Sequence, residues 1–455
     1  MGSEGPANRK TFHVKVKVVG LENEFIANGS SKQEAKQNAA AMVLAALSIE
    51  FTNPSSTTSD DAATVENAKI SSWADFVANM VNCKFQTLTE GTEWNRRTVL
   101  AGIVMTDGDN YEASAQVISI ATGTKCISAS GLSMTGASVL DCHAEILCRR
   151  ALCRYFCSHL LAMDNEEYAR KAIFEKRKDG KPGFVLKTQF RFHMYVSTAP
   201  CGDGRIFAPT QDLISADKHP NRLNRGLIRT KLESGEGTVP ACEEQCQTWD
   251  GVMGGERLVF TSCSDKILLW NHVGIQGNLL SNFIDPVYLS SIIIGSSFNA
   301  DHLKRALVNR LPNAVQLDDP FHLNNLLILS TSSPEKRVPC KPPKHALLWG
   351  VCDRAFEIID SSTGRLLDTT YSSVVSKQVA FQLFHNVYGK IKHLFSDHVD
   401  ALPQFAQDES YCKVKEKNEK YCEAKASFID ATKKEMLGYW PMKPPEIDDF
   451  ILNSS

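Results

Sequence analysis

The chain has 455 residues, 43% of them hydrophobic and 22% charged, with a formal net charge of −2. That is the composition of a soluble globular protein long enough for one large domain or two to three ordinary ones. The near-zero charge excludes a globally basic nucleic-acid binder, so any affinity for nucleic acid must come from local clusters of Lys and Arg. The N-terminus MGSEGPANRK lacks the basic-then-apolar pattern of a signal peptide and the Ser or Thr of a myristoylation site. No apolar run reaches the ~18–20 residues of a membrane span, so an intracellular protein is expected. Fourteen cysteines then imply small buried hydrophobes or metal ligands rather than a disulfide framework.

Residues 9–19 (RKTFHVKVKVV) alternate polar and apolar, a strand pattern, and a second short strand is expected at Glu24–Ala27. The Ala-rich run SSKQEAKQNAAAMVLAALSIE predicts a helix that Ser30 or Ser31 can cap, ending near Leu47. Residues 50–68 are polar, rich in Ser and Thr, and read as a linker. Residues 69–455 mix amphipathic helices with strands such as Thr98–Met105, Tyr288–Ile294 and Met194–Thr198, without internal repeats or a second low-complexity break. They predict one elaborated α/β domain. The organisation expected is therefore 1–49, a small domain; 50–68, a linker; and 69–455, the main domain.

The chemistry-bearing constellation begins at Asp141-Cys142-His143-Ala144-Glu145, which opens the helical run ILCRRALCRYFCSHLL. Asp141 is the expected N-cap, which puts His143 and Glu145 in the first turn. His-x-Glu followed by Pro-Cys is the pattern of zinc nucleobase deaminases, in which the imidazole binds metal and the carboxylate moves protons. Here Pro200-Cys201 follows a strand-like segment, but no second cysteine stands three positions on: the chain reads Cys201-Gly202-Asp203-Gly204. An open tetrahedral site needs three protein ligands. The best candidate for the third is Cys263, in Thr261-Ser262-Cys263-Ser264-Asp265-Lys266. Either motif alone is common by chance; their order and placement at helix starts carry the argument. Cys142 should point away from the site. Cys148, Cys153 and Cys157 read as core packing.

Several long segments together resemble the catalytic domain of the adenosine deaminases acting on RNA. They are VLAGIVM, ATGTKCI, LDCHAEILCRR, STAPCGDGRIF, HPNRLNRGLIRTKLESGEGTVP, TWDGVMGGERL, SCSDKILLWNHVGIQGNLLS and KPPKHALLW. The resemblance implies a cytidine-deaminase-like α-β-α core: a mixed sheet flanked by helices, with an elaborated C-terminal helical part. It implies zinc held by His143, Cys201 and Cys263, hydrolysis of adenosine to inosine at a base flipped out of duplex RNA, and Glu145 as proton shuttle. Lys231 would be linked to the zinc water through Asp141. Glu236, in the Ser234–Gly237 loop, would fill the hole left by the flipped base. Val99 and Thr124 would sit beside the target nucleotide. Arg96, Arg205, Arg222, Arg225, Arg229, Arg257 and Lys341 would contact RNA phosphates. A second set would hold a buried inositol hexakisphosphate: Arg149, Arg150, Lys266, Trp270, Gln276, Lys377, Tyr411, Lys415, Tyr421, Lys425, Trp440 and Lys443. So many cations in one core are intolerable without an anion. Leu140, Phe260, Leu269, Asn278 and Met442 stand where polar or charged contacts are usual, so somewhat fewer contacts are expected.

The N-terminal zone resembles the later part of a double-stranded RNA-binding domain, with Gly5–Asn8 as its minor-groove loop and Lys32 and Lys36 facing phosphates. Its first helix and first strand are expected to be missing, which makes the chain a shortened form. Alternatives are a tRNA-specific adenosine deaminase and a non-catalytic RNA-binding regulator of editing. The expected partner is double-stranded RNA, with a homodimer or an auxiliary protein as further partners. The expected location is the nucleus, from the family's behaviour rather than from the short Lys176-Arg177-Lys178 run.

Overall fold

The computed structural model describes residues 2–4, 11–17, 24–29, 35–36, 60–108, 111–205, 224–232, 237–244, 246–311, 314–333, 342–396 and 402–452. The chain divides into two compact units, Met1–Asn67 and Ala68–Ser455.

In the first unit three antiparallel strands form a small sheet: β1 (Gly2–Glu4), β2 (Thr11–Lys17) and β3 (Glu24–Gly29), in the order β1-β2-β3. Val14 of β2 and Ala27 of β3 pack on Ala35, the first of two helical residues described there. β1 corrects the expectation that a strand is missing before β2. Its three residues, paired through Gly2↔His13 to Glu4↔Thr11, are too few to show an alternating pattern in sequence. Gly5–Asn8, Lys32 and the expected helix beyond Lys36 lie outside the described residues. Lys36 itself is exposed.

Residues 60–68, expected to be linker, begin the long helix α1 (Asp60–Thr89). Asp60 and Asp61 favour a helix N-terminus, and Ala62 and Ala63 have the strongest helix propensity. These local preferences outweigh the polar composition that suggested a linker.

The second unit is built on an eight-stranded mixed sheet. Its members are β4 (Leu100–Asp107), β5 (Gln116–Thr122), β8 (Phe190–Val196), β11 (Leu289–Ile294), β12 (Leu327–Ser330), β13 (His345–Gly350), β14 (Glu357–Asp360) and β15 (Arg365–Leu366). Two small hairpins stand apart from it: β6 (Phe174–Lys176) with β7 (Phe184–Leu186), and β9 (Arg229–Lys231) with β10 (Thr238–Pro240). The sheet order is β12-β11-β8-β4-β5-β13-β14-β15. β12, β11 and β8 run parallel, and the remaining pairs are antiparallel.

The central strands are buried on both faces, so they read as continuous apolar runs rather than alternating ones. Alternate residues of β4 nevertheless serve different layers. Ala101, Ile103 and Met105 join a core with the helix α2 (Ala144–Leu161), whereas Leu100 and Val104 join Val77, Val81 and Phe85 of α1. The result is the expected three-layer α-β-α arrangement. Further helices pack on the α2 side: α3 (Cys263–Val273), α4 (Ala300–Lys304, continued by a wider turn through Asn309), α5 (Lys377–Ile391), α6 (Tyr411–Glu416) and α7 (Glu419–Lys434). The cysteines among the described residues are all free. No helix among those residues is long and apolar enough to cross a membrane.

Gly102 sits where α1 crosses β4. A Cβ added there would lie 2.5 Å from Val81 Cγ1 and 2.7 Å from Cγ2. Gly102→Ala is therefore expected to destabilise the main domain by about 1–3 kcal/mol, the usual cost of overpacking. Adding Val81→Ala should recover part of that loss. Urea midpoints at unchanged slope measure both effects.

Candidate metal centre and its surroundings

Three chain segments meet beyond the carboxyl end of β8. His143 is the residue immediately before α2, with extended backbone (φ −69°, ψ 140°), and Glu145 lies in the first helical turn. Asp141 is thus not the helix N-cap, as its sequence position suggested. Its Oδ1 instead accepts the backbone N–H of His143 at 3.2 Å and the ring Nδ1–H at 2.9 Å. The local bond to the imidazole wins over capping because two ammonium groups hold this carboxylate from the other side. Cys201 follows β8, and Cys263 begins α3, where Ser262 caps the helix by accepting from Asp265 N–H.

One ligand atom each from His143, Cys201 and Cys263 can be chosen so that all lie within 4.8 Å of one another, and all three residues are buried. Ligands at zinc distances of ~2.0–2.3 Å in a tetrahedron stand about 3.5 Å apart, so this set suits such an ion. His143 Nε2 is buried without a hydrogen-bond partner, while Nδ1 is tied to Asp141. That leaves Nε2 as the nitrogen available to a metal, the carboxylate–histidine arrangement usual in metal sites. The Cys263 N–H donates to Cys201 Sγ at 3.4 Å. The Cys263 thiol beside it and nearby cations hold Cys201 well below the ordinary thiol range, whereas burial raises Cys263. Cys142 points elsewhere, toward Val139 O. Glu145 is 3% exposed; burial first, and then the charge on Cys201, raise its carboxyl above its ordinary value. A carboxyl poised upward in this way can both take and give a proton.

Asp141 Oδ2 accepts from Lys231 Nζ at 2.7 Å and from Lys266 Nζ. Burial alone would raise Asp141, but these two ammonium groups hold its carboxyl well below the usual range. Cys126, not singled out in the sequence, also donates to Asp141 Oδ1, at 3.6 Å. Gly123 and Lys125 bond the backbone of Ala144 and Cys142, which places Thr124 against the same segment, buried and with its Oγ1 unpartnered. Val99 is buried in the core that contains Cys201 and Cys263.

Of the cations read as phosphate contacts, Arg96 and Arg225 are exposed, and Arg205 and Arg257 half-buried. Arg222, Glu236 and Lys341 lie outside the described residues. Arg229 is a correction: it is 2% exposed and braces the β9–β10 hairpin, donating to Thr238 Oγ1 at 2.9 Å and to Thr238 O at 3.1 Å. On an extended strand its direction is fixed by pairing, which the Arg-x-x-Arg-x-x-x-Arg spacing does not reveal. In the same hairpin Leu232 N–H bonds Gly237 O at 2.8 Å.

Arg149, Arg150, Gln276, Lys377, Tyr411, Lys415, Tyr421 and Lys425 line one cavity of about 560 Å³. Among its charged lining residues are six cations and a single carboxylate, Glu416. Asp448, missed in the sequence, accepts from Lys377 and, at 2.7 Å, from Lys415. Burial still pushes Lys377 down to about 8 and lowers Lys425 and Arg150, while burial followed by Lys377 and Lys266 holds Lys443 well below the ordinary lysine value. Lys266, Trp270, Trp440 and Lys443 are not among the lining residues. Lys266 turns to Asp141, Trp270 lies under the Arg149 guanidinium, Trp440 packs edge-on against Phe428, and Lys443 sits over Phe260. Leu269, Leu140 and Phe260 belong to apolar clusters, and Asn278 and Met442 line the cavity. Cys148 is fully buried, whereas Cys153 and Cys157 border the cavity.

Residues 119–444 match the adenosine-deaminase (editase) domain, and residues 1–47 match the double-stranded RNA binding motif. The chain is 39% identical to the double-stranded RNA-specific editase Adar of Drosophila melanogaster, over 99% of this chain and 66% of the relative. It is 39% identical to the double-stranded RNA-specific editase B2 of Mus musculus, over 98% of this chain and 58% of that protein. Similarity to tRNA-specific adenosine deaminase 1 of Drosophila melanogaster, at 31% identity, extends over 51% of this chain. The chain thus spans somewhat under two thirds of the length of the editases it matches. With the buried imidazole, thiol pair and carboxyl standing where that domain's match falls, the chain belongs to the adenosine-deaminase (editase) domain family.

Proposed function

We propose that this chain hydrolyses adenosine to inosine in double-stranded RNA, at a zinc ion held by His143, Cys201 and Cys263. The observation that carries the reading is the buried triad with an unpartnered His143 Nε2 and with Glu145 two residues away. Zinc in such a site supplies Lewis acidity that brings the pKa of water to about 7. Asp141 keeps the imidazole proton on Nδ1, and Lys231 keeps Asp141 ionised. Glu145 moves two protons at its carboxylate: one from the attacking water to the purine nitrogen, and a second, from the hydroxyl that water becomes, to the departing amine. Because a duplex buries the target atom, the base must leave the stack; Glu236, between β9 and β10 in sequence, is the proposed residue that fills the gap. Exposed Arg96 and Arg225 suit contact with the RNA backbone, which in A-form duplexes is read by shape. The match of residues 1–47 to a double-stranded RNA binding motif favours duplex RNA over tRNA. Intact His143, Glu145, Cys201 and Cys263 weigh against a regulator without catalysis.

The cationic cavity is the proposed seat of inositol hexakisphosphate. Buried lysines lowered by desolvation are the signature of a site that an anion completes. Action in the nucleus, and a homodimer or auxiliary partner, are further parts of this reading.

Incubated with duplex RNA, the protein should form inosine and carry one zinc per chain. Glu145→Ala should lower the rate by about 10²–10⁴-fold, the usual weight of a general acid–base group, while keeping its zinc. Inosine formation in that variant at the wild-type rate would remove Glu145 from the reaction.

The cavity gives a pH signature. Lys377 has a folded pKa of about 8 against an unfolded value near 10.4, so between these values the unfolded chain holds more protons. Stability of the anion-free protein should therefore rise as pH increases from about 8 to about 10. Saturating inositol hexakisphosphate should flatten that rise, as read in urea midpoints.

A further inference from the structure

Each thiol of the metal centre is followed two residues later by an aspartate, in Cys201-Gly202-Asp203 and Cys263-Ser264-Asp265. Both aspartates are fully buried. Each holds an arginine from the end of α4 and the turn that continues it. Arg305 Nε donates to Asp203 Oδ2 at 2.8 Å, and Arg310 donates to Asp265 Oδ1 at 2.6 Å. Each carboxylate also takes a backbone N–H from one short segment: Gly226 N–H to Asp203 Oδ1 at 2.7 Å, and Arg229 N–H to Asp265 Oδ2 at 2.9 Å. Between these anchors Arg310 donates to the carbonyls of Gly226 and Leu227 at 3.2 and 3.3 Å. Segment 226–229 is thus gripped at both ends by the two cysteine loops and in the middle by a guanidinium.

That segment runs directly into β9. The β9–β10 hairpin has Arg229, opposite Pro240, at its open end, and carries Lys231, bonded to Asp141, opposite Thr238 at the far end of β9. Apolar residues would fill this volume at less desolvation cost, but they would not fix direction as charge-assisted hydrogen bonds do.

We infer that Asp203 and Asp265, with Arg305 and Arg310, are positioning residues that lock the hairpin in register with the metal ligands. The catalytic consequence rests on the function proposed above: the β9–β10 strands and the site that receives the flipped base then keep a fixed separation. The lock itself is a property of the chain whatever its substrate.

Arg305 is the accessible member, its side chain 26% exposed. In the full chain, Arg305→Ala should speed amide hydrogen exchange at Gly226 and through Arg229–Lys231 by about tenfold or more, with exchange in β4 and β8 unchanged. Bound zinc and the dissociation constant for duplex RNA should stay as in wild type. The single-turnover deamination rate at saturating enzyme should fall about 10- to 100-fold, as misplacement by a fraction of an ångström does. Arg305→Lys, which keeps one charge-assisted bond, should recover most of both effects. The double variant Asp203→Asn/Arg305→Met leaves no unpaired buried charge, and should show the same local loosening if the single variant folds poorly. Unchanged exchange at Gly226 and Arg229–Lys231 in both variants overturns the lock. So does uniformly faster exchange across β4 and β8 with loss of zinc, which marks a merely structural role. A wild-type protein that forms no inosine removes the proposed function instead, and the exchange data still decide the lock.

Discussion

The carboxylate of Asp141 is the charge on which the rest of the centre depends. It is 5% exposed, yet its two oxygens meet the His143 amide and imidazole, the Cys126 thiol and the ammonium groups of Lys231 and Lys266. A lone buried carboxylate would be driven to protonate, and two lone buried lysines to lose their protons. Together they hold one another in the charged form, and the surplus positive charge faces the pair of thiols. Removing Asp141 would therefore disturb the imidazole, the metal and both lysines at once, because the network is satisfied only as a whole.

The frame that allows this is the double-sided sheet. β4 and β8 lie at its centre, covered by α1 on one face and α2 on the other, so the loops leaving their ends have little freedom. Cys201 leaves the end of β8, while His143 and Cys263 stand at the starts of α2 and α3. Helix N-termini present partial positive charge, which at Cys263 works against the burial that raises its thiol. In open α/β sheets ligands gather at the carboxyl ends of strands, and the centre follows that rule at the end of β8.

Much of this was legible in the sequence because the ligands sit in short, locally coded motifs. His143 and Glu145 share one helix start, and Cys201 and Cys263 each open a turn with a small residue, Gly202 or Ser264, followed by an Asp. The apolar runs of β4, β8 and β11 announced buried strands within two residues of their ends, except at the start of β8. What the sequence hid was direction. Arg229 belongs to a basic run, yet β pairing turns it inward onto Thr238. Asp141 read as a cap in sequence; the resemblance implied its link to Lys231, but nothing there brought Lys266 to it as well. Residues 60–68 looked like linker because they hold hardly any large hydrophobic side chain, although that does not prevent a helix that later residues anchor to the sheet. Asp448 and Cys126 carry no motif, and only the tertiary fold brings them to their partners.

The paired Cys-x-Asp pattern was visible in the sequence and went unused, and it explains the long separation of the two thiolates. Where a second cysteine close to the first would complete a metal site within one turn, here 61 intervening residues hold the hairpin and its approaches. Splitting the ligand pair forces both cysteine loops to border the inserted segment. Each loop then spends a buried aspartate on gripping that segment's backbone, with an arginine from the same helical stretch to balance the charge. On the proposed reading, a site assembled in this way places a metal only where the hairpin is also placed. Geometry at the three candidate ligands and geometry at the β9–β10 strands therefore become one constraint rather than two.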